Sequence, residues 1–504
     1  MLENILASLS MTFTPEVILI LFIGVVFGCI VGAIPGLGTC VALVVCLPFT
    51  LKLDSISAIA LLMGVYGSSI YGGSISAVLI NTPGTPQSAA TGLDGYPMAR
   101  KGLAGQALGW VTLASIFGGL LSCLALMVAA PQLADLSLKY GGPLEICALI
   151  CMGLACISSL SEGNQIKGIL MGLAGLLLAT IGNDPVSGEM RFIFNTDALA
   201  GGISLMPVVV GIFPLAEVFY RIHELRSSKE VQPIECSSLI FPKLVEWKGR
   251  VTNLVRSAMI GIGLGILPGV GATASTFVSY TTAQKFSKNG LDFGKGEPDG
   301  LIAAESSNNA ITGGALIPTL ALGIPGEPAT ALMLASMTLH GIIPGVRLMV
   351  DNPDVVYSSF MLLILANLLI IPAAFIVIRT FGYIIKAPAP ILLGLIVVCS
   401  LVGVYIPSGM FFDVPLALAI GVMAFGMRLY NFPVTPLLIG YVLGPQLEFN
   451  LSQAAIYRGD MSVFSYVTTS PLAMVLFSIA GLFLFLPILR SMFLAGKSAL
   501  RAKV

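Results

Sequence analysis

Residues 77–92 read AVLINTPGTPQSAATG, and the fold turns on the eight in the middle, NTPGTPQS at 81–88. The flanks are apolar and helix-forming. Pro83 and Pro86 each remove a backbone donor and Gly84 admits left-handed torsions, so one helix must stop here and another begin. Composition puts that break inside a bilayer. Of 504 residues, 56% are hydrophobic and 10% charged, with a mean hydropathy of +0.96, whereas soluble domains average about 25% charged. Apolar runs at 17–34, 107–130, 361–378 and 471–489 are each long enough to cross a hydrocarbon core of roughly 30 Å as a helix. Segments of about 10 residues alternating apolar and polar, the mark of a membrane barrel, are absent. The expected fold is an all-α polytopic membrane protein of about 10–12 transmembrane helices.

A backbone break at membrane depth is tolerated only where protein or a water-filled cavity covers the freed polar groups. This chain has two. GAIPGLG at 32–38 recurs as GILPGVG at 265–271, both G-x-x-P-G-x-G, with Pro268 standing 233 positions after Pro35. YGGSISAVLINTPGTPQSA at 71–89 is echoed by TGGALIPTLALGIPGEPAT at 312–330, with Pro325 standing 242 positions after Pro83. Two proline-glycine signatures in one order at nearly one separation mark a duplicated half.

Cationic loops stay in the cytoplasm, which orients the halves. Arg221, Arg226, Lys229, Lys243, Lys248, Arg250 and Arg256 lie between the halves, and Arg490, Lys497, Arg501 and Lys503 lie in the tail. No basic residue precedes Lys52, so the N-terminus is expected outside. Its opening, MLENILASLSMTFTPEV, has neither the cationic region nor the small-residue cleavage site of a signal peptide, so the first helix is expected to be retained. The halves then thread the membrane in opposite senses, as inverted-topology repeats with broken helices at the midplane. The expected division is a first repeat at 1–220, a basic cytoplasmic connector at 221–250, a second repeat at 251–460, and a terminal helix with basic tail at 461–504.

At the first break Thr85 is placed to cap a helix that starts at Pro86, and at the second Pro328 follows Gly326. Each helix N-terminus carries about half a positive charge, so two that face each other bind an anion, a carboxylate or phosphate, without a buried Lys or Arg. Candidate substrate residues are Gly36, Gly38, Thr39, Asn81, Thr82, Pro83, Gly84 and Thr85 in the first half. In the second they are Gly269, Gly271, Thr273, Pro325, Gly326 and Glu327. Glu327 either caps its own helix or binds a cation or proton. AESSNNAITGG at 304–314 sets Glu305, Asn308, Asn309 and Thr312 on one helical face. A carboxylate with amides and a hydroxyl is expensive to bury in an apolar segment, which makes this face a candidate coupling site for Na⁺ or a proton. The alternative is a polar helix contact that satisfies itself. The matching first-half face carries Ser68, Ser69, Ser74 and Ser76 but no carboxylate.

Other function classes fall away. Lys+Arg and Asp+Glu both number 25, so no basic excess points to nucleic acid. Nine cysteines without a CxxC pair argue against a disulfide framework or zinc. HELRS at 223–227 lacks the second histidine of H-E-x-x-H, no G-x-S-x-G is present, and GLDFGKG at 290–296 misses P-loop spacing. The chain is expected to be neither an enzyme nor an ATP-driven pump. A carrier is the preferred reading, with an anion-selective channel built from the same helix ends as the alternative.

GAIPGLGT, YGGSISAVLINTPGTP, LDGYPMARKG, AESSNNAITGGALIPTLALGIPG and LHGIIPG together resemble the large membrane subunit of the tripartite tricarboxylate transporters, the TctA family, over nearly the whole chain. The resemblance implies a small TctB-like membrane subunit and a periplasmic, TctC-like solute-binding protein as partners. It also implies uptake of citrate or another carboxylate driven by a Na⁺ or H⁺ gradient, no cofactor, and a multi-pass location in the bacterial inner membrane. Elevator-like movement follows only by analogy with other binding-protein-dependent carriers. On this chain the family's glycine-proline loops fall on Gly36, Gly38, Gly269 and Gly271, its breaks on Pro83, Gly84, Pro325 and Gly326, and its Glu and paired Asn on Glu305, Asn308 and Asn309. Glu327 departs from the small or hydroxyl residue expected after the second PG.

Overall fold

The computed structural model describes residues 8–160, 165–224, 234, 236, 238–268, 271–386 and 388–485. Among them the regular structure is helical apart from one two-stranded antiparallel ribbon, Gly182–Asn183 against Met190–Arg191. The principal helices of the first half are α1 Pro15–Ala33, α2 Gly38–Thr50, α3 Ser55–Ile80, α4 Ala89–Met98, α5 Ala104–Tyr140, α6 Pro143–Leu160, α7 Gln165–Ala179 and α8 Leu205–Glu224. Those of the second are α9 Val251–Ile266, α10 Ala272–Phe286, α11 Pro298–Leu322, α12 Pro328–Leu339, α13 Pro353–Ile385, α14 Ala389–Ser408, α15 Asp413–Leu429 and α16 Thr435–Arg458. Among the described residues, six helices are long and apolar enough to span a bilayer and six shorter apolar ones accompany them, as in an all-α polytopic membrane protein. Arg226, Lys229 and the four tail cations used to orient the chain lie outside the described residues, as do the first seven positions.

Two helices form the axis of the core. The spanning window of α3 is 94% buried and α11 is buried throughout 300–322, whereas α14 is only 28% buried and turns Ile391, Leu395, Val398 and Val402 outward. The first two are therefore surrounded by protein, and the last presents its apolar side to lipid.

α3 begins at Asp54, whose carboxylate accepts the backbone N–H groups of Ile56 and Ser57 at 3.1 and 3.2 Å. Burial pushes this carboxyl upward, but the Ser57 and Ile56 hydrogen bonds outweigh it and hold it below its usual value. Asp54→Ala is expected to cost about 1 kcal/mol of stability. Because the folded pKa is depressed, that contribution is present above the unfolded carboxylate range and is lost as pH falls through the folded value. Unfolding curves in detergent should therefore separate wild type from variant at neutral pH and converge on acidification.

The duplication reaches into the packing. α1 crosses α3 through Gly24, Gly28 and Gly32, a stripe of small residues that lets two membrane helices touch backbone to backbone. A Cβ at Gly28 would stand 2.6 Å from the carbonyl oxygen of Val65, and one at Gly32 2.1 Å from that of Ser69. In the second half Gly261 and Gly265, each 233 positions on, meet the carbonyl oxygens of Ser307 and Ile311 at 2.5 and 3.1 Å. Ser307 and Ile311 themselves stand 242 positions after Val65 and Ser69. Helix ends correspond too: α3 stops at Asn81 with φ 54° and α11 at Gly323 with φ 71°, both left-handed.

Candidate functional site

Past Asn81 the chain folds back along α3. The Gly84 N–H donates to the carbonyl oxygen of Gly73 at 3.1 Å, and a Cβ at Gly84 would lie 1.9 Å from the Gly32 carbonyl oxygen and 2.8 Å from the Gly73 Cα. Thr85 stands at the N-cap of a 3₁₀ turn, Pro86–Ser88, that leads into α4, but its hydroxyl bonds the Ser88 hydroxyl at 2.6 Å rather than capping an amide. The second break repeats the fold-back. Gly326 N–H donates to the Thr319 hydroxyl at 3.2 Å, and a Cβ there would lie 2.7 Å from the Ala315 carbonyl oxygen. Gly73 and Ala315 each stand eleven positions before the glycine they receive. Neither Gly84 nor Gly326 has a positive φ. The left-handed torsion read into Gly84 belongs to Asn81 instead, and the break glycines are required by close approach.

Both breaks rest on α3 and α11, and each also packs against the other half: Pro86–Ser88 against α10, and α12 against α2. Gly84, Thr85, Pro325 and Gly326 are buried, Thr82, Pro83 and Glu327 partly so, and Asn81 is exposed.

The glycine-proline loops open the helices that receive these tips. Gly36 and Gly38 have φ of 82° and 67°, torsions that cost other residues roughly 1–2 kcal/mol. Thr39 follows, its hydroxyl accepting from Ser69 at 3.1 Å. The missing side chain of Gly36 leaves room for the Arg221 guanidinium, whose Nη2 would be 1.0 Å from a Cβ there. Glu217 holds Arg221 at 2.8 Å and also pairs with Arg428. In the second half Gly271, φ 79°, precedes α10, and Thr273 lies half-buried in its first turn. Gly269 lies outside the described residues.

The polar face of α11 divides into two kinds of residue. Glu305 is fully buried and its oxygens accept three hydroxyls from the first half: Ser74 of α3 and Ser115 of α5, each at 2.6 Å, and Thr91 of α4. Asn308 and Asn309 are equally buried, yet none of their four amide atoms has a hydrogen-bond partner. The Thr312 hydroxyl donates to its own helix at Asn309 O, 2.7 Å away. Glu327 caps α12 through its backbone, its N–H reaching the Thr330 hydroxyl at 3.2 Å, while its carboxylate accepts the Tyr66 hydroxyl of α3. That hydroxyl also lies 3.4 Å from the carbonyl oxygen of Thr312. A self-satisfied contact thus describes Glu305 but not the two asparagines.

Several residues at this site were not singled out from the sequence. Asp94, buried in α4, accepts the N–H groups of Gly294, Gly296 and Glu297 at 2.8, 2.8 and 2.9 Å and the Tyr280 hydroxyl at 2.8 Å, which ties the first half to the loop that starts α11. Tyr66, beside the Ser68–Ser69 pair, Thr91, among small and polar residues after the break, and Ser115, in an apolar run, have no spacing that joins them to Glu305. By sequence Arg221 counts among the connector cations, although its position four residues after Glu217 is a legible pairing signal. A cavity of about 390 Å³ lies elsewhere, between α7, α12 and α16, walled by Leu178, Leu334, Thr338 and Tyr441. None of the substrate or coupling residues expected from the sequence lines it.

Residues 18–439 match the family described as the Tripartite tricarboxylate transporter TctA family. The chain belongs to the TctA family. Both glycine-proline loops, both breaks and the α11 face fall within the matched span. The chain is 37% identical over 475 residues to an uncharacterised 52.8 kDa protein in the TAR-I ttuC' 3'region of Agrobacterium vitis, covering 94% of this chain and 93% of that one. An uncharacterised protein in the TAR-II ttuC' 3'region of the same organism is 34% identical over 211 residues, 42% of this chain and 86% of that protein. No solved structure matches. As a TctA protein, this chain is a multi-pass membrane component of a tripartite transporter.

Proposed function

We propose that this TctA chain is the large transmembrane subunit of a secondary carrier that imports an organic anion, a tri- or dicarboxylate such as citrate, by cation symport. It works in the bacterial inner membrane with a small TctB-like subunit and a periplasmic TctC-like protein that delivers the substrate. The two halves thread the membrane in opposite senses, so each buried break faces one side in turn. One observation carries the reading: each half contributes a buried backbone break with the same fold-back, and each tip packs on the other half's helices. Broken backbone covered by protein at that depth is a place for a polar guest. The amides at the start of α4 and α12 favour carboxylate groups, although Glu327 offsets the positive end of α12. Coupling is assigned to the face of Glu305, Asn308, Asn309 and Thr312.

Counterflow in proteoliposomes holding all three components tests the carrier. Labelled citrate is expected to enter several-fold faster when the vesicles are preloaded with unlabelled citrate. Equal rates with and without preloading would establish a pore through the same helix ends instead.

A further inference from the structure

We infer that residues 180–204, between α7 and α8, form a docking surface for a soluble protein on the membrane face opposite the basic connector. Phe192 and Phe194 are its anchors, and they fit an apolar patch rimmed by Lys and Arg. The inference rests on the carrier reading for one point, that this protein is the periplasmic one that delivers the substrate.

α8 runs from Leu205 to Glu224 and ends in the basic connector. Its start, with the loop before it, therefore lies on the other side of the bilayer. The two halves depart from their symmetry at this point. The equivalent turn of the second half joins α15 to α16 through residues 430–434, on the connector side, where Arg428 pairs with Glu217. Twenty-five residues in one half thus stand against five in the other. The added chain is confined to one face, as a partner arriving from that face requires.

That chain is held in place. The Arg191 guanidinium donates to both carboxylate oxygens of Glu448 in α16, at 2.5 and 3.0 Å, and lies 3.2 Å from Asp184. The Tyr441 hydroxyl donates to the carbonyl oxygen of Ile203, and the Ser204 hydroxyl to Asp413 at 2.8 Å. Between these pins the side chains alternate: Arg191 and Ile193 are half-buried, whereas Met190, Phe192 and Phe194 point outward. Phe192 is 60% and Phe194 76% exposed. Both have positive φ, 55° and 49°, as does Asn195 at 57°. Bulky residues rarely adopt such torsions, and here the strained backbone turns two rings away from the protein. The bond from Ser204 to Asp413 brings Met410 and Phe411, also exposed, to the end of the loop.

Charge decides between a protein and the lipid surface as the occupant. Aromatic residues that anchor a chain among headgroups are chiefly Trp and Tyr, and the cations that accompany such anchors bind anionic lipid. Residues 180–204 contain neither Trp nor Tyr, three acids, Asp184, Glu189 and Asp197, and a single base, Arg191, already held by two carboxylates. Acids around the rings repel an anionic headgroup layer and attract a basic rim. Exposed aromatic anchors with charge at the edge are the anatomy of a protein interface.

The surface also stands where a delivered substrate is needed. Ile181, Gly202 and Ile203 wall one side of the 390 Å³ cavity, and Leu334 and Thr338 of α12 wall another. Gly323, two positions before Pro325 of the second break, lines it too. A protein seated on the loop is thereby separated from the second tip by open space rather than by packed core.

The test is the affinity of citrate-loaded solute-binding protein for the full chain with its small subunit, in phosphatidylcholine nanodiscs. Phe192→Ala and Phe194→Ala should each weaken binding about tenfold or more. Glu189→Lys combined with Asp197→Lys should weaken it several-fold at low KCl and less at high KCl. Phe286→Ala, which removes an equally exposed ring on the connector side, should change nothing. In proteoliposomes the two loop variants should raise the half-saturating concentration of binding protein for uptake and leave the maximal rate within about twofold. No binding to wild type, affinity unchanged in both loop variants, or an equal loss in Phe286→Ala overturns the inference. So does a loss that appears only when phosphatidylglycerol is present, which would make the loop a lipid anchor. Absence of counterflow with binding and its loss in the variants intact removes the carrier reading alone.

Discussion

Glu305→Ala is expected to destabilise the protein by roughly 3–6 kcal/mol, and Glu305→Gln by no more than about 2 kcal/mol. The difference comes from who is left unpaired. Alanine strands three buried hydroxyls, those of Ser74, Thr91 and Ser115, and each buried donor without an acceptor costs about 1–3 kcal/mol. It also opens a cavity where α11 meets α3, α4 and α5. Glutamine keeps a carbonyl oxygen for Ser74 and Thr91 and presents an amide to Ser115, whose hydroxyl can turn to accept. Denaturation of the purified chain in nanodiscs reads both variants. Equal losses would mean that the charge, not the hydrogen bonds, holds the halves together, and a neutral alanine variant would mean that nothing there does.

That network also marks where sequence reading stops. The helical class was legible because apolar runs as long as 361–378 have few other uses, and that run lies inside α13. The duplication is legible in the two proline-glycine signatures, but its packing is not: Gly28, Gly32, Gly261 and Gly265 prove to sit where carbonyl oxygens of the neighbouring helix press in. Partners were not legible. Nothing about Ser115 or Thr91 distinguishes them from any other helical hydroxyl until folding brings them to Glu305, 190 and 214 positions away. The same holds for Tyr66 and Glu327, joined across 261 positions. On α11 the pattern E-x-x-N-N-x-x-T marks four polar residues on one face, but only the fold separates Glu305 and Thr312, whose side chains are hydrogen-bonded, from Asn308 and Asn309, whose amides are not. The role of Gly84 was misread for a related reason: a glycine between prolines suggests torsional freedom, while the constraint that applies comes from Gly32, 52 positions earlier in the chain.

Gly84→Ala should therefore lower uptake on the order of 100-fold while leaving membrane insertion intact, and Gly326→Ala should act in the same direction with a smaller effect. Torsion is not at issue, because neither glycine sits at positive φ and alanine can adopt both conformations. What alanine cannot do is share space with a backbone atom. Its Cβ at position 84 would stand 1.9 Å from the Gly32 carbonyl oxygen, against 2.7 Å from the Ala315 carbonyl oxygen at position 326. Relief requires the first break to lift from α1 by on the order of 1 Å, and a misplacement of that size in a positioned site costs about a hundredfold in rate. The larger overlap at 84 sets the order of the two effects. Gly263→Ala is the control: it lies in α9, with nothing within 4 Å of the added carbon, and should leave uptake unchanged with a slight gain in stability. Initial rates of citrate uptake, normalised to the amount of folded chain in the membrane, distinguish the three. If Gly84→Ala and Gly326→Ala both transport at the rate of Gly263→Ala, the breaks are packing features of the scaffold and the substrate is held elsewhere.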